Sequence, residues 1–371
     1  GGIMRKVIQY LLSWGLGQDL GPGAPGRTIF LDSVDRVSTL LDSGLYANDT
    51  VVFAPAEDND SEMNPHLSEI QGTGHPVLVR YRGSLSNLGD ELSIGDFTIE
   101  AQQYATIDFL TIAGPTLVRI SGEDDFGVFL RDADLAKEEG IFSPFLTHPM
   151  TQLADLCALG GTHACSGPDR RLTVDTLGAA RTGPFGLTIG TAGDSLDTLT
   201  DNYWAWRSRL RTPGSGCPVC LGEVLANSVQ FSGHAQRPWL SRYLYALDAL
   251  RMARARGFTG LNVSGFAHRL CPNLEHDDRT ALDYSASHTK SPLLLFNDVD
   301  ALLYDPSHMK QFKLGGDSAR IAEMILTCGV KDAAIPASKL FGLGHKRALS
   351  LVEETADQLG RAGVFPSSRH T

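Results

Sequence analysis

An α+β fold is predicted for this sequence: a mixed α/β region over residues 4–285, then a small βββααα unit over residues 290–366. Three observations carry the prediction. The N-terminal part alternates β-patterned and helical runs, while the end of the chain sets three short β-runs ahead of three helical ones. Between them, Asp277–Lys290 is polar and reads as a linker.

In the first region, Met4–Trp14 carries Val7, Ile8, Leu11 and Leu12 at spacings that fit a helix and leave a strand start open. Gly1-Gly2-Ile3 ahead of Met4 reads as a remnant of cloning, which puts the expected native start at Met4. Gly17–Gly26 is a loop by composition. Thr28–Leu31 and Thr50–Ala54 read as strands flanking a helix over Val34–Leu45. An exposed acidic loop is expected over Asp58–Pro65. The runs Val77–Tyr81, Asp96–Ala101, Ile107–Ala113 and Leu117–Ile120 fit an antiparallel sheet. Asp124–Glu139 and Met150–Leu159 look helical, and Leu172–Gly193 is β-like and rich in glycine. Tyr203, Trp204 and Trp206, interleaved with Arg207, Arg209 and Arg211, fit an amphipathic helix with arginines on its rim, with nucleic-acid stacking as the other reading. Pro238–Arg256 is a long helix with a wide apolar stripe.

Composition narrows the function classes. The chain has 371 residues, enough for two or three domains, with 42% hydrophobic and 20% charged residues. A formal charge of −11 and a pI near 5.4 argue against nucleic acid or an anionic membrane as the main partner. No apolar run approaches the roughly 18 residues a membrane span needs. A cytoplasmic setting is expected, with the six cysteines reduced or bound to metal.

The one compact chemical motif is Cys217-Pro218-Val219-Cys220. Two thiolates separated by two residues make half of a tetrahedral zinc site. His268-x-x-Cys271 has the same spacing and could complete a structural Cys3His site, and Cys157, His163 and Cys165 are the competing supply. A redox Cys-x-x-Cys and unliganded buried thiols remain the other readings. Catalytic signatures are missing: no G-x-S-x-G elbow, no H-E-x-x-H and no nucleotide motif.

The terminal unit is the more legible part. Leu293–Phe296, Ala301–Tyr304 and Met309–Leu314 are β-patterned, separated by the turn chemistry of Asn297-Asp298 and Asp305-Pro306-Ser307. Asp317 is placed to cap a helix carrying Ile321, Met324, Ile325 and Leu326, with Gly329 as its stop. Further helices are expected over Asp332–Leu340 and Lys346–Arg361, the last with Leu349, Val352, Ala356 and Leu359 inward. Three strands followed by three helices make a winged-helix unit.

The run LLYDPSHMKQFKLGGDSARIAEMIL, with the later LVEETADQLGRAGVF, resembles the PqqD-like recognition element. That winged-helix module binds leader peptides of ribosomally synthesised, post-translationally modified peptides. In size and layout the whole chain also resembles recognition proteins of daptide-type clusters. The resemblance implies that a leader peptide adds as a strand on Met309, Lys310, Gln311, Phe312, Lys313 and Leu314. It implies a groove wall formed by Arg347, Leu351, Thr355 and Gln358. Phe312 and Leu314 alternate with Gln311 and Lys313, so that one set faces the core and the other is solvated. The same four apolar side chains, Phe312, Leu314, Leu349 and Val352, also satisfy a purely structural reading.

The expected function is therefore a non-catalytic adaptor that binds the precursor leader and presents the core to modifying enzymes. Under the daptide resemblance these would be an oxidative decarboxylase and an aminotransferase. A peptide-modifying enzyme with a fused recognition module is one alternative, and a DNA-binding regulator is the other. Glu353, Glu354 and Asp357 on the would-be recognition helix speak against DNA, because they repel phosphates.

Overall fold

A computed structural model of the chain describes residues 2–18, 26–45, 50–57, 77–160, 167–210, 216–272, 274 and 290–364. The expected acidic loop Asp58–Pro65, nearly all of the linker, and the candidate ligands His163 and Cys165 lie outside the described residues. The chain forms two compact units, 1–130 with 150–237, and 131–149 with 238–371. The boundary expected near residue 285 thus falls inside the second unit. No helix among the described residues is long and apolar enough to cross a membrane.

The first unit is built on a mixed ten-stranded sheet. Its strands are β1 Arg27–Leu31, β2 Thr50–Pro55, β3 Val77–Gly83, β4 Glu91–Ile94, β5 Phe97–Gln103, β6 Thr116–Arg119, β7 Thr151–Leu153, β8 Arg171–Val174, β9 Ala179–Arg181 and β10 Gly190–Thr191. Their spatial order is β10-β9-β8-β1-β2-β3-β4-β5-β6-β7. The centre, β8-β1-β2-β3, is parallel. Every residue of β1 is buried, as expected of a parallel strand covered on both faces. The helices of this unit include α1 Gly2–Leu16, α2 Val37–Asp42 and the start of α3 Glu123–Glu139. Beyond these lie α4 Leu196–Leu210 and α5 Asn227–Ala235. α1 lays Trp14 flat on Phe30, ring centroids 4.4 Å apart, and Phe30 stacks in turn on Tyr81.

Three local expectations are corrected here. The sheet over residues 77–120 is antiparallel only through β3-β4-β5, because β5 and β6 pair in parallel. The crossover that a parallel pair requires occupies what read as a strand at Ile107–Ala113, and it contains a 3-10 turn, Tyr104–Phe109. Met150–Leu159 is not helical: Thr151–Leu153 pairs with β6 as β7. A short apolar run carries no periodicity to separate the two states, so sheet pairing decides.

The second unit contains α6 Leu240–Ala255 and an antiparallel sheet of β11 Asn262–Val263, β12 Leu293–Phe296, β13 Ala301–Asp305 and β14 Lys310–Lys313, in that order. Helices α7 Gly316–Cys328, α8 Ala334–Phe341 and α9 His345–Arg361 follow. The expected βββααα sequence is present, and β11 adds a fourth strand beside β12. Leu294, Phe296, Ala301 and Leu303 pack with Ala319 and Ala322 of α7 and Leu359 of α9. The residues between them along β12 and β13 point to the opposite face, and they are buried too. α6 packs against β12 and β14. Both sheet faces are therefore covered, which explains why this unit reaches back to Pro238.

Candidate functional site

The peptide site expected from the sequence falls on β14, and the geometry there can be built from single hydrogen bonds. Leu314 donates its amide to the carbonyl of Ala301 at 2.9 Å. Leu303 lies opposite Phe312, Tyr304 opposite Gln311 and Leu302 opposite Lys313. Antiparallel ladders alternate between bonded and non-bonded pairs. Phe312 and Leu314 therefore direct their main-chain groups to β13, while Gln311 and Lys313 direct theirs away from it. β14 is the last strand of its sheet, so that side has no neighbouring strand among the described residues.

The side chains differ from expectation in part. Phe312 and Leu314 do pack against the core. Gln311 is not simply solvated: its amide donates to the carbonyl of Ala249 in α6 at 2.6 Å, and it accepts from Arg256. Lys313 is exposed and pairs with Asp300 at 2.8 Å. Met309 stands at φ 52° ahead of the strand, and Lys310 is exposed.

On α9 the buried face is Ala348, Val352, Thr355 and Leu359. Thr355 accordingly belongs to the interior, its hydroxyl donating to the carbonyl of Leu351 at 2.9 Å. Leu351 packs partly against the cluster of Ile321, Met324 and Val352. Arg347 and Gln358 are exposed. The reason is phase. Leu349, Val352, Ala356 and Leu359 and the observed face differ by a fraction of a turn, and alanine and threonine are small enough to enter a tight helix contact.

The second site is the thiol cluster of the first unit. Cys157, Cys217 and Cys220 are all buried, and their sulfur atoms lie within 4.8 Å of one another. Cys217 Sγ and Cys220 Sγ are 3.6 Å apart. Tetrahedral zinc with ordinary zinc–sulfur bonds holds its sulfurs about 3.8 Å apart. The three side chains can therefore hold a metal ion with little movement. Main chain positions them: the amide of Cys217 donates to the carbonyl of Cys157, and Gln230 of α5 donates to the carbonyls of Ala158 and Cys217. Gly216 donates to Nδ1 of His234 at 2.8 Å. A β-carbon on Gly216 would stand 2.6 Å from the Cys157 carbonyl, so only glycine fits there. Burial lowers His234 to a pKa of about 4, which keeps the ring neutral and Nδ1 free to accept.

His268 and Cys271, expected to complete this site, belong to the second unit. Cys271 is engaged there: its amide donates to Glu323 and its thiol to the carbonyl of Arg320. Burial and the neighbouring Glu323 push the Cys271 thiol up to about 12, which holds it protonated and makes it a poor metal ligand. His268 is exposed. Cys157, one of the competing ligands, is the residue that joins Cys217 and Cys220. The sequence analysis passed over Gln230 and His234. Their signal was a pair of polar residues one helical turn apart just after the cysteine motif.

Comparison of the chain with protein-family models, curated proteins and solved structures gives no significant match.

Proposed function

We propose that this protein is a recognition protein of ribosomal peptide modification, whose second unit captures the precursor leader as an added strand on β14. The observation that supports the reading is the outer side of β14, which has no neighbouring strand among the described residues and to which Gln311 and Lys313 direct their main-chain groups. An incoming strand gains main-chain hydrogen bonds there, and its alternate side chains supply the specificity. Exposed Lys310 favours a leader with a carboxylate facing it, while Lys313 already pairs with Asp300. The bound precursor is then held near its modifying enzymes, a decarboxylase and an aminotransferase in the daptide reading, at a raised effective concentration. Catalysis by the adaptor itself is not required. The first unit serves as the scaffold, and zinc at Cys157, Cys217 and Cys220 staples its loops in a reducing, cytoplasmic setting.

The test is a titration of the full chain with synthetic precursor leaders, read by amide hydrogen exchange. Leader binding should slow exchange at Gln311 and Lys313 more than at any other strand positions. Protection confined to the first unit, or no leader bound at all, overturns the reading. A mass change in the precursor produced by the purified protein alone would favour the fused-enzyme alternative instead.

A further inference from the structure

β1 sits between β2, which follows it in the chain, and β8, which returns on its other side. The strand order reverses there, and in open α/β sheets the crevice beyond the carboxyl ends of such strands is where ligands bind. A cavity of about 330 Å³ opens at that place. This lies within the volume range of small-molecule sites.

Register decides what lines it. Phe30 of β1 is paired with Thr173 of β8, so both side chains project from the same face. Two residues further on, Asp32 and Asp175 project from that face again. All four line the cavity. The carboxylates are not equivalent. Asp175 accepts the amides of Leu177 and Ala179 and pairs with Arg181, which also pairs with Glu223. Asp32 has no ion pair among the described residues. It accepts a hydrogen bond from Ser86, and the buried Arg119 acts on it only through its field. Burial of Asp32 raises its pKa, a cost that a bound cation would offset.

A second observation stands apart from the carboxylates. Thr173 is only 3% exposed, and its hydroxyl has no hydrogen-bond partner among the described residues. A buried hydroxyl left unpaired is costly, and Thr173 is among the residues that line the cavity. A phosphate-bearing ligand does not fit: the turn after β1, Asp32-Ser33-Val34-Asp35, has no glycine and adds carboxylates.

We propose that this crevice is a binding site for a small primary amine, its ammonium held by Asp32 and the Thr173 hydroxyl and its apolar stem against Phe30 and Leu85. The site lies wholly in the first unit and does not depend on peptide capture by β14.

Isothermal titration of the full chain with 2-phenylethylamine, and with 2-phenylethanol as the uncharged match, tests it. The amine should bind saturably and at least about tenfold more tightly than the alcohol, since a charge-assisted bond separates them. Asp32→Asn should remove that preference. Thr173→Val should weaken the amine several-fold and also raise the melting temperature, because it deletes an unpaired hydroxyl at nearly constant shape. The stability gain shows that the variant is folded. Equal affinity for amine and alcohol, no saturable amine binding, or unchanged amine affinity in either variant overturns the proposal.

Discussion

The carbonyl of Cys157 accepts the amide of Cys217 at 2.8 Å, so main chain joins the residue supplying the third thiol to the first cysteine of Cys-Pro-Val-Cys. That bond places the three sulfurs within 4.8 Å before any metal arrives. A preorganised set of thiols binds metal without first ordering its loops, and the binding energy then adds to the stability of the fold.

Chelation should accordingly lower the melting temperature of the first unit. Cys157→Ser and Cys217→Ser should lower both the metal content, measured by elemental analysis, and the starting melting temperature, and should remove the response to chelator. A Cys271→Ser chain should keep the metal content of the parent, because that thiol is committed to Arg320.

Two proline substitutions on β14 should behave oppositely. The amide of Lys313 points to the free side, so Lys313→Pro should leave stability within about 1 kcal/mol of the parent. It should nonetheless block strand addition and weaken leader binding by tenfold or more, roughly 1.4 kcal/mol. Phe312→Pro removes a ladder bond to β13 as well as a ring packed on the core, and should cost roughly 1–3 kcal/mol more than Phe312→Ala in urea unfolding. Equal effects of both on stability would mean that the outward assignment is wrong.

His234 makes the first unit sensitive to acid. Its folded pKa of about 4 lies below the ordinary 6.5, so the unfolded chain takes up this proton first. Stability from His234 is complete above about pH 6.5 and declines as pH falls toward about 4, by roughly 3 kcal/mol in total. Protonation would also remove the acceptor for Gly216, beside the thiols. His234→Gln keeps an acceptor without titrating, and its denaturation midpoints should be flatter between pH 7 and 4.

Glu323 is fully buried and accepts the amides of Leu270 and Cys271 at 2.7 and 2.6 Å. Glu323→Ala would strand the buried amide of Cys271, at a cost of about 1–3 kcal/mol, and the partly buried amide of Leu270 at a smaller one. The second unit should then unfold at clearly lower denaturant, while Glu323→Gln, which retains one acceptor oxygen, should recover part of the loss.

The Asp155–Arg171 ion pair, 2.6 Å long with both side chains almost wholly buried, ties the turn after β7 to β8. Arg171 also donates to the carbonyl of Trp14. Asp155→Ala should destabilise the first unit by about 3–5 kcal/mol, because it leaves the guanidinium buried and uncompensated. Thermal unfolding checks this directly.

What the sequence determined by itself was local. The mixed α/β class, the long helices α3 and α6 and the βββααα order were readable because periodicity and turn chemistry act within a few residues. The strand at Lys310–Lys313 was legible for the same reason. Tertiary structure alone decided which distant residues meet. Cys157 joins Cys217 across some sixty intervening residues through one main-chain bond. Cys271 had the right spacing, yet a buried glutamate claims its surroundings. The pairing of Phe30 with Thr173 across β1 and β8 brings Asp32 and Asp175 to one crevice. Such meetings depend on strand order and register, and neither leaves a mark in any short window of the chain.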